Sequence, residues 1–221
     1  MIDNSLKYLP TKNKHQPKLK KNWRLNRLLP SVILVELLLL CYFWPKITSP
    51  QPNICPTLNA HPNWYQQVLL SHQRWGVPIA TELAIIDHES HFNPMAKTRN
   101  KSINGVAIPG THITSASGFT QALNGTWRLY QLKTHHWHAR RSSFRDSADF
   151  VGWFLNRAHT MDHISLNNTK SLYLAYHEGI NGYHHKSYQH KPSLLPIADK
   201  VTKLAKLFKH QLHHCPASQL H

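Results

Sequence analysis

An all-α domain behind an N-terminal membrane anchor is the architecture this sequence predicts. Three observations carry it. After residue 62 the apolar residues recur at spacings of three and four, as a helix face requires. No stretch alternates long enough to make a convincing strand. A 17-residue apolar run over 28–44 follows a basic tail. The 221 residues suffice for one domain plus an anchor, not for two large domains. Seven Trp and eight Tyr argue against disorder.

Residues 1–27 hold eight Lys/Arg against the single acid Asp3, a large part of the formal charge of +16. The run from Leu28 to Trp44 would span about 26 Å as a helix, slightly less than a bilayer core of about 30 Å. Tyr42, Phe43 and Trp44 close it as an interfacial belt would. Basic residues before the span keep the N-terminus cytoplasmic and export the chain beyond Trp44. Residues 1–27 thus read as a cytoplasmic tail and 28–44 as a signal anchor in the bacterial inner membrane. Glu36 is awkward inside a bilayer. A cleaved signal peptide lacks a small-x-small site, and a lipoprotein signal at Cys41 would want a small residue where Leu40 stands. All three readings export the domain. Nucleic acid is therefore not an expected partner; orientation and anionic lipid account for the basic tail. Residues 45–60, with Pro50, Pro52 and Pro56, read as a stiff linker. One domain then covers 61–215.

Within that domain Asn63 caps a helix that runs to Gly76. Pro78 suits the first turn of the next, which carries Leu83, Ile85 and Ile86 to about Glu89. Residues 93–117, rich in Asn, Gly, Ser and Thr, read as a long irregular loop, and such loops are usually functional. A helix comes next over about 121–133. Asp146 or Ser147 caps another that carries Phe150, Trp153, Phe154 and Leu155. Thr169 to Glu178 forms a further one, stopped by Gly179. The last runs from about Leu195 to His213, with Ile197, Val201, Leu204, Phe208 and Leu212 on one face.

Cys55 and Cys215 bracket the polar part of the chain. In an oxidising compartment they would close one long loop, worth up to about 4–5 kcal/mol; otherwise they are two free thiols. The nineteen His residues suggest no zinc site. His213-His214-Cys215 is packed too tightly for one tetrahedral ion, so neither metal nor cofactor is expected.

Three segments carry chemistry. In His88-Glu89-Ser90-His91-Phe92, Glu89 sits at a helix C-terminus, where the dipole disfavours an ionised carboxylate. Apolar Ile85, Ile86 and Phe92 would add desolvation, and both effects raise the pKa as a general acid needs. Ser90 is placed to orient the carboxyl. In Ser117-Gly118-Phe119-Thr120-Gln121, Gly118 permits close backbone approach, and the Gln121 amide offers a donor and an acceptor suited to an N-acetyl sugar. In Tyr173-Leu174-Ala175-Tyr176-His177-Glu178-Gly179, the two tyrosines lie one turn apart, positioned to hold a carboxyl with a hydroxyl.

In this order the three segments resemble the motifs of the soluble lytic transglycosylase (SLT) domain family. Its Glu-Ser matches Glu89-Ser90, its Gly-x-x-Gln matches Gly118 to Gln121, and its Ala-Tyr-Asn matches Ala175-Tyr176, with His177 in place of Asn. Trp75-Gly76-Val77-Pro78, Ile108-Pro109-Gly110 and Phe150-Val151-Gly152-Trp153 are similar to one branch of that family. The resemblance implies a lysozyme-like helical fold around a sugar cleft and peptidoglycan glycan strands as substrate. It implies that Glu89 protonates the glycosidic oxygen, that the substrate acetamido group assists, and that the muramic acid O6 closes a 1,6-anhydro ring. Gln121 would bind sugar and Tyr176 would position Glu89. His177 departs from the pattern, and Glu178 is a second acid that would favour hydrolysis. A lysozyme-type hydrolase and an inactive wall-binding scaffold are the alternatives.

Overall fold

A computed structural model describes residues 51–103 and 106–215. The basic tail and the apolar run at 28–44 lie outside the described residues. Among the described helices none is long and apolar enough to cross a membrane.

The unit beginning at Gln51 is mainly helical. Its helices are α1 (Ile54–Ala60), α2 (Asn63–Trp75), α3 (Ile79–Ser90), α4 (Asn124–Thr134), α5 (Phe144–Asp162), α6 (Thr169–Glu178), α7 (Ile180–His184) and α8 (Leu194–Leu212). A short 3-10 turn, Ser187–His190, joins α7 to α8. The expected stops hold: Gly76 ends α2 in the left-handed conformation, and Gly179 follows α6. The start of α5 is earlier than the sequence pattern predicts. Ser143 caps it, its hydroxyl accepting from the Asp146 N–H, so Asp146 is the third helical residue rather than the cap.

Two regions differ more. The expected linker over 45–60 contains α1 from Ile54 onward. Ile54 and Leu58 are buried in the core, and Asn53 caps the helix by accepting from the Cys55 N–H at 3.0 Å. Pro56 falls in its first turn, where no amide hydrogen is missed. The loop over 93–117 is not irregular throughout. It contains an antiparallel hairpin, β1 (Asn100–Ile103) with β2 (Val106–His112), in which Ser102 opposes Ala107 and Ile103 opposes Val106. Both strands are edges, which tolerates Pro109 in β2.

Helix α3 is the centre of the unit. Every residue from Ala80 to Ile86 is buried, with α8 on one side and α2 and α5 on others. The α2–α5 crossing is close because Gly152 has no side chain. A Cβ there would clash with the Ser71 hydroxyl and come within 2.6 Å of the Trp75 ring. α8 closes the bundle and receives the first described residues: Gln211 donates to the Pro52 carbonyl at 2.9 Å and accepts from the Ile54 N–H at 3.0 Å. Cys55 and Cys215 form the disulfide there, 160 residues apart.

One buried group is costly. Glu82 on α3 is fully buried and neither carboxyl oxygen finds a partner among the described residues. Neighbouring Ser71 donates instead to the Ala148 carbonyl at 3.0 Å. Burial pushes the Glu82 pKa well above the ordinary carboxylate value, and the Asp149 charge adds to it. The folded state therefore keeps a proton that the unfolded chain releases above about pH 4.3. Stability is full below that point and falls as pH rises, by up to about 1.4 kcal/mol per unit. Glu82→Gln needs no proton. Its unfolding temperature should exceed that of the parent at pH 8, with the gap narrowing towards pH 5. Parallel melting profiles across this range would refute a neutral Glu82.

Candidate active site

The C-terminal turn of α3 delivers Glu89 to a cleft of about 520 Å³. The helix ends abruptly: His91 and Phe92 both take positive φ, 50° and 58°, which turns the chain away from the site. The walls around Glu89 come mostly from elsewhere. Phe150 and Phe154, four apart on α5, and Tyr176 on α6 line the cleft beside it. Tyr176 packs edge-on to Phe154 at 5.2 Å. Burial among these rings raises the Glu89 pKa to about 7, and a hydrogen bond from the Tyr173 hydroxyl restrains the rise. The Tyr173 pKa moves up in turn, through burial and then through the Glu89 charge. Ile85 and Ile86, one turn before Glu89, are fully buried in the core. Ser90 does not orient Glu89; its hydroxyl donates back to the Ile86 carbonyl at 3.1 Å.

The second motif forms a tight turn opposite. Gly118 has φ 76°, and a Cβ would clash with the Arg141 carbonyl, its carbon 2.7 Å away. The close approach is used: Phe119 N–H donates to Arg141 O at 3.1 Å and Gly118 N–H to Ala96 O at 2.8 Å. Gln121 Nε2 donates to the carbonyls of Ala96 at 3.1 Å and Gly118 at 2.9 Å. Both amide hydrogens are spent on backbone. What this residue keeps for a ligand is the acceptor Oε1, narrower than the donor-plus-acceptor role expected from sequence. Thr98 and Thr114 line the cleft from the base of the hairpin, where the Thr98 hydroxyl donates to Thr114 O at 3.1 Å.

The third motif ties the second to the first. Tyr176 OH donates to the Thr120 carbonyl at 2.7 Å and feels the Glu89 charge, while the hydrogen bond that restrains the Glu89 pKa comes from Tyr173, one turn earlier. His177 and Glu178 also line the cleft. Burial alone would raise the Glu178 pKa, but hydrogen bonds from Lys191, Ser187 and His177 and the Lys191 charge bring it to about 2. Its Oε1 accepts from Lys191 Nζ at 2.8 Å and lies 3.0 Å from His177 Nδ1, and its Oε2 accepts from Ser187. Glu178 is thus a fixed anion that fastens the segment after α6.

The three predicted segments therefore converge on one cleft, with Glu89, Gln121, Tyr176, His177 and Glu178 on its lining, Tyr173 bonded to Glu89 behind it, and Gly118 and Ser90 shaping the backbone. Sequence reasoning missed Thr98, Thr114, Thr126, Phe150 and Phe154. Only the two phenylalanines carried a signal, a pair four apart on one helix face.

In comparisons with known proteins, the family model described as Transglycosylase SLT domain matches residues 30–215. No curated protein matches the chain.

Tyr173→Phe tests the Glu89 contact. Removing a hydrogen bond to the ionised form should raise the Glu89 pKa further above about 7. The alkaline limb of the activity profile should move to higher pH while kcat falls. A lower kcat with an unmoved limb would show that Tyr173 acts on packing alone.

Proposed function

This chain belongs to the transglycosylase SLT-domain family, a family of lytic transglycosylase type that acts on peptidoglycan, and from that premise we propose that it cleaves the β-1,4 bond between N-acetylmuramic acid and N-acetylglucosamine with Glu89 as the single acid/base. The observation that carries this reading is the state of Glu89. A carboxyl with its pKa near 7 holds a proton over much of the neutral range and also gives it up readily. The other acid on the cleft, Glu178, is held ionised at about 2 and has no proton to give.

In the first step Glu89 gives its proton to the glycosidic oxygen and the C1–O bond breaks. The substrate acetamido group supports the positive charge on C1. In the second step the ionised Glu89 takes the proton of the muramic acid C6 hydroxyl as that oxygen bonds to C1. The ring closes as a 1,6-anhydro sugar, no water is consumed, and Glu89 ends protonated as it began. Tyr173 holds the carboxyl through both steps. Gln121 Oε1 accepts from the sugar, the amide of an N-acetyl group being a suitable donor.

The disulfide fits an exported domain, since such bonds persist in oxidising compartments. We place this domain outside the cytoplasm, tethered to the inner membrane by residues 28–44. Fractionation with protease accessibility of intact cells checks this; a protected, soluble domain would refute it.

Purified peptidoglycan digested with the full chain should release anhydromuropeptides, identified by mass spectrometry. Glu89→Gln should lower the rate by about 10²–10⁴-fold. The activity of the parent should fall as pH rises above about 7, where Glu89 loses its proton. Products heavier by one water would make the enzyme a hydrolase. An intact substrate after treatment with folded parent protein would favour the scaffold reading.

A further inference from the structure

A second cavity, of about 510 Å³, lies away from the cleft. Helix α4 links the two sites. Thr126, near its start, lines the cleft, and His135, its C-terminal cap, lines the second cavity. Nine residues of helix separate them by about 14 Å. We propose that this cavity is an accessory site for a carboxylate-bearing peptide, the peptide stem of the glycan strand, an assignment that rests on peptidoglycan being the substrate.

Its lining is cationic. Arg140 and Arg145 both border it, with exposed side chains, and neither guanidinium has an ion-pair partner among the described residues. One acid, Asp146, faces the same space, and its Oδ2 already accepts from the Arg140 backbone N–H at 2.9 Å. Two planar guanidiniums without partners suit carboxylates, which they bind through paired N–H donors.

One wall is held rigidly. His136 Nε2 lies 3.2 Å from Arg74, a group that only donates, so this nitrogen accepts and the proton sits on Nδ1. Nδ1 faces the Tyr130 hydroxyl at 2.9 Å, and Tyr130 donates in turn to Asp149 at 2.7 Å. The imidazole is fixed by this chain, and Tyr130 is fully buried. His136 therefore shapes the cavity and leaves anion recognition to the arginines.

Trp137 also borders the cavity and is 55 % exposed, with the His135 ring edge-on to it at 5.9 Å. Carboxylates for the arginines and an apolar surface for Trp137 occur together on an acidic peptide. A bare inorganic anion supplies the first alone.

The test is a direct titration of the full chain with a synthetic acidic stem peptide bearing free carboxylates, and with the same peptide amidated. Binding does not require turnover, so its result stands apart from whether Glu89 cleaves anything. The parent should bind the acidic peptide at low salt and more weakly as salt rises. Amidation, and separately the double change Arg140→Gln with Arg145→Gln, should each weaken binding by about fivefold or more. Trp137→Ala should weaken both peptides. These exposed positions should leave the melting temperature in place. Lys203→Gln with Lys206→Gln on α8 removes equal charge elsewhere and should leave the affinity unchanged. No binding by the parent overturns the proposal. So does equal affinity for the two peptides, or an equal loss from the α8 control.

Discussion

The complete enclosure of α3 is the constraint on which the rest depends. A helix buried from Ala80 to Ile86 has no freedom to slide or roll, because any shift would leave voids on several sides at once. Its last turn is therefore fixed in space, and Glu89 with it. α8, α2 and α5 do more than stabilise the domain; they set the height at which one carboxyl meets the cleft. The same enclosure strands Glu82 without a partner among the described residues, so the helix that presents Glu89 to the cleft tolerates a costly acid two turns earlier.

Around that fixed point, the other two motifs are tied by backbone contacts more than by side-chain pairs. Arg141 O receives the Phe119 N–H against a residue with no Cβ, and Tyr176 reaches the Thr120 carbonyl. A turn held by backbone hydrogen bonds on two sides resists displacement. The cleft is then stiff along the Gly118–Gln121 side and apolar beside Glu89, where Phe150 and Phe154 line it.

Much of this was legible in the sequence, and the failures have physical causes. The helices from α2 to α6 and α8 announce themselves by apolar spacing and by glycine stops. Glu89 was visible because a strongly apolar run ends there in His88-Glu89-Ser90-His91. The aromatic wall beside it was not, since Phe150 and Phe154 lie some sixty residues on and only tertiary packing brings them back. The helix α1 was hidden by Pro56, a breaker in most positions and harmless in a first turn. The hairpin was hidden by Pro109-Gly110 and by the lack of alternation in β2. Which tyrosine meets Glu89 could not be read from motif order. Tyr173 and Tyr176 share a helix face, and a one-turn difference is settled by the competing carbonyl of Thr120.

The joining of Cys55 to Cys215 has a mechanical meaning. A domain pulled by its ends carries the load along its chain. Here force applied at the first described residues meets α1, and within a few residues a covalent bond passes it to the far end of α8. The strain bypasses the residues between the two cysteines, which span a sequence separation of 160. A pull between the two ends of the described unit therefore cannot peel off helices α2 to α7 in sequence.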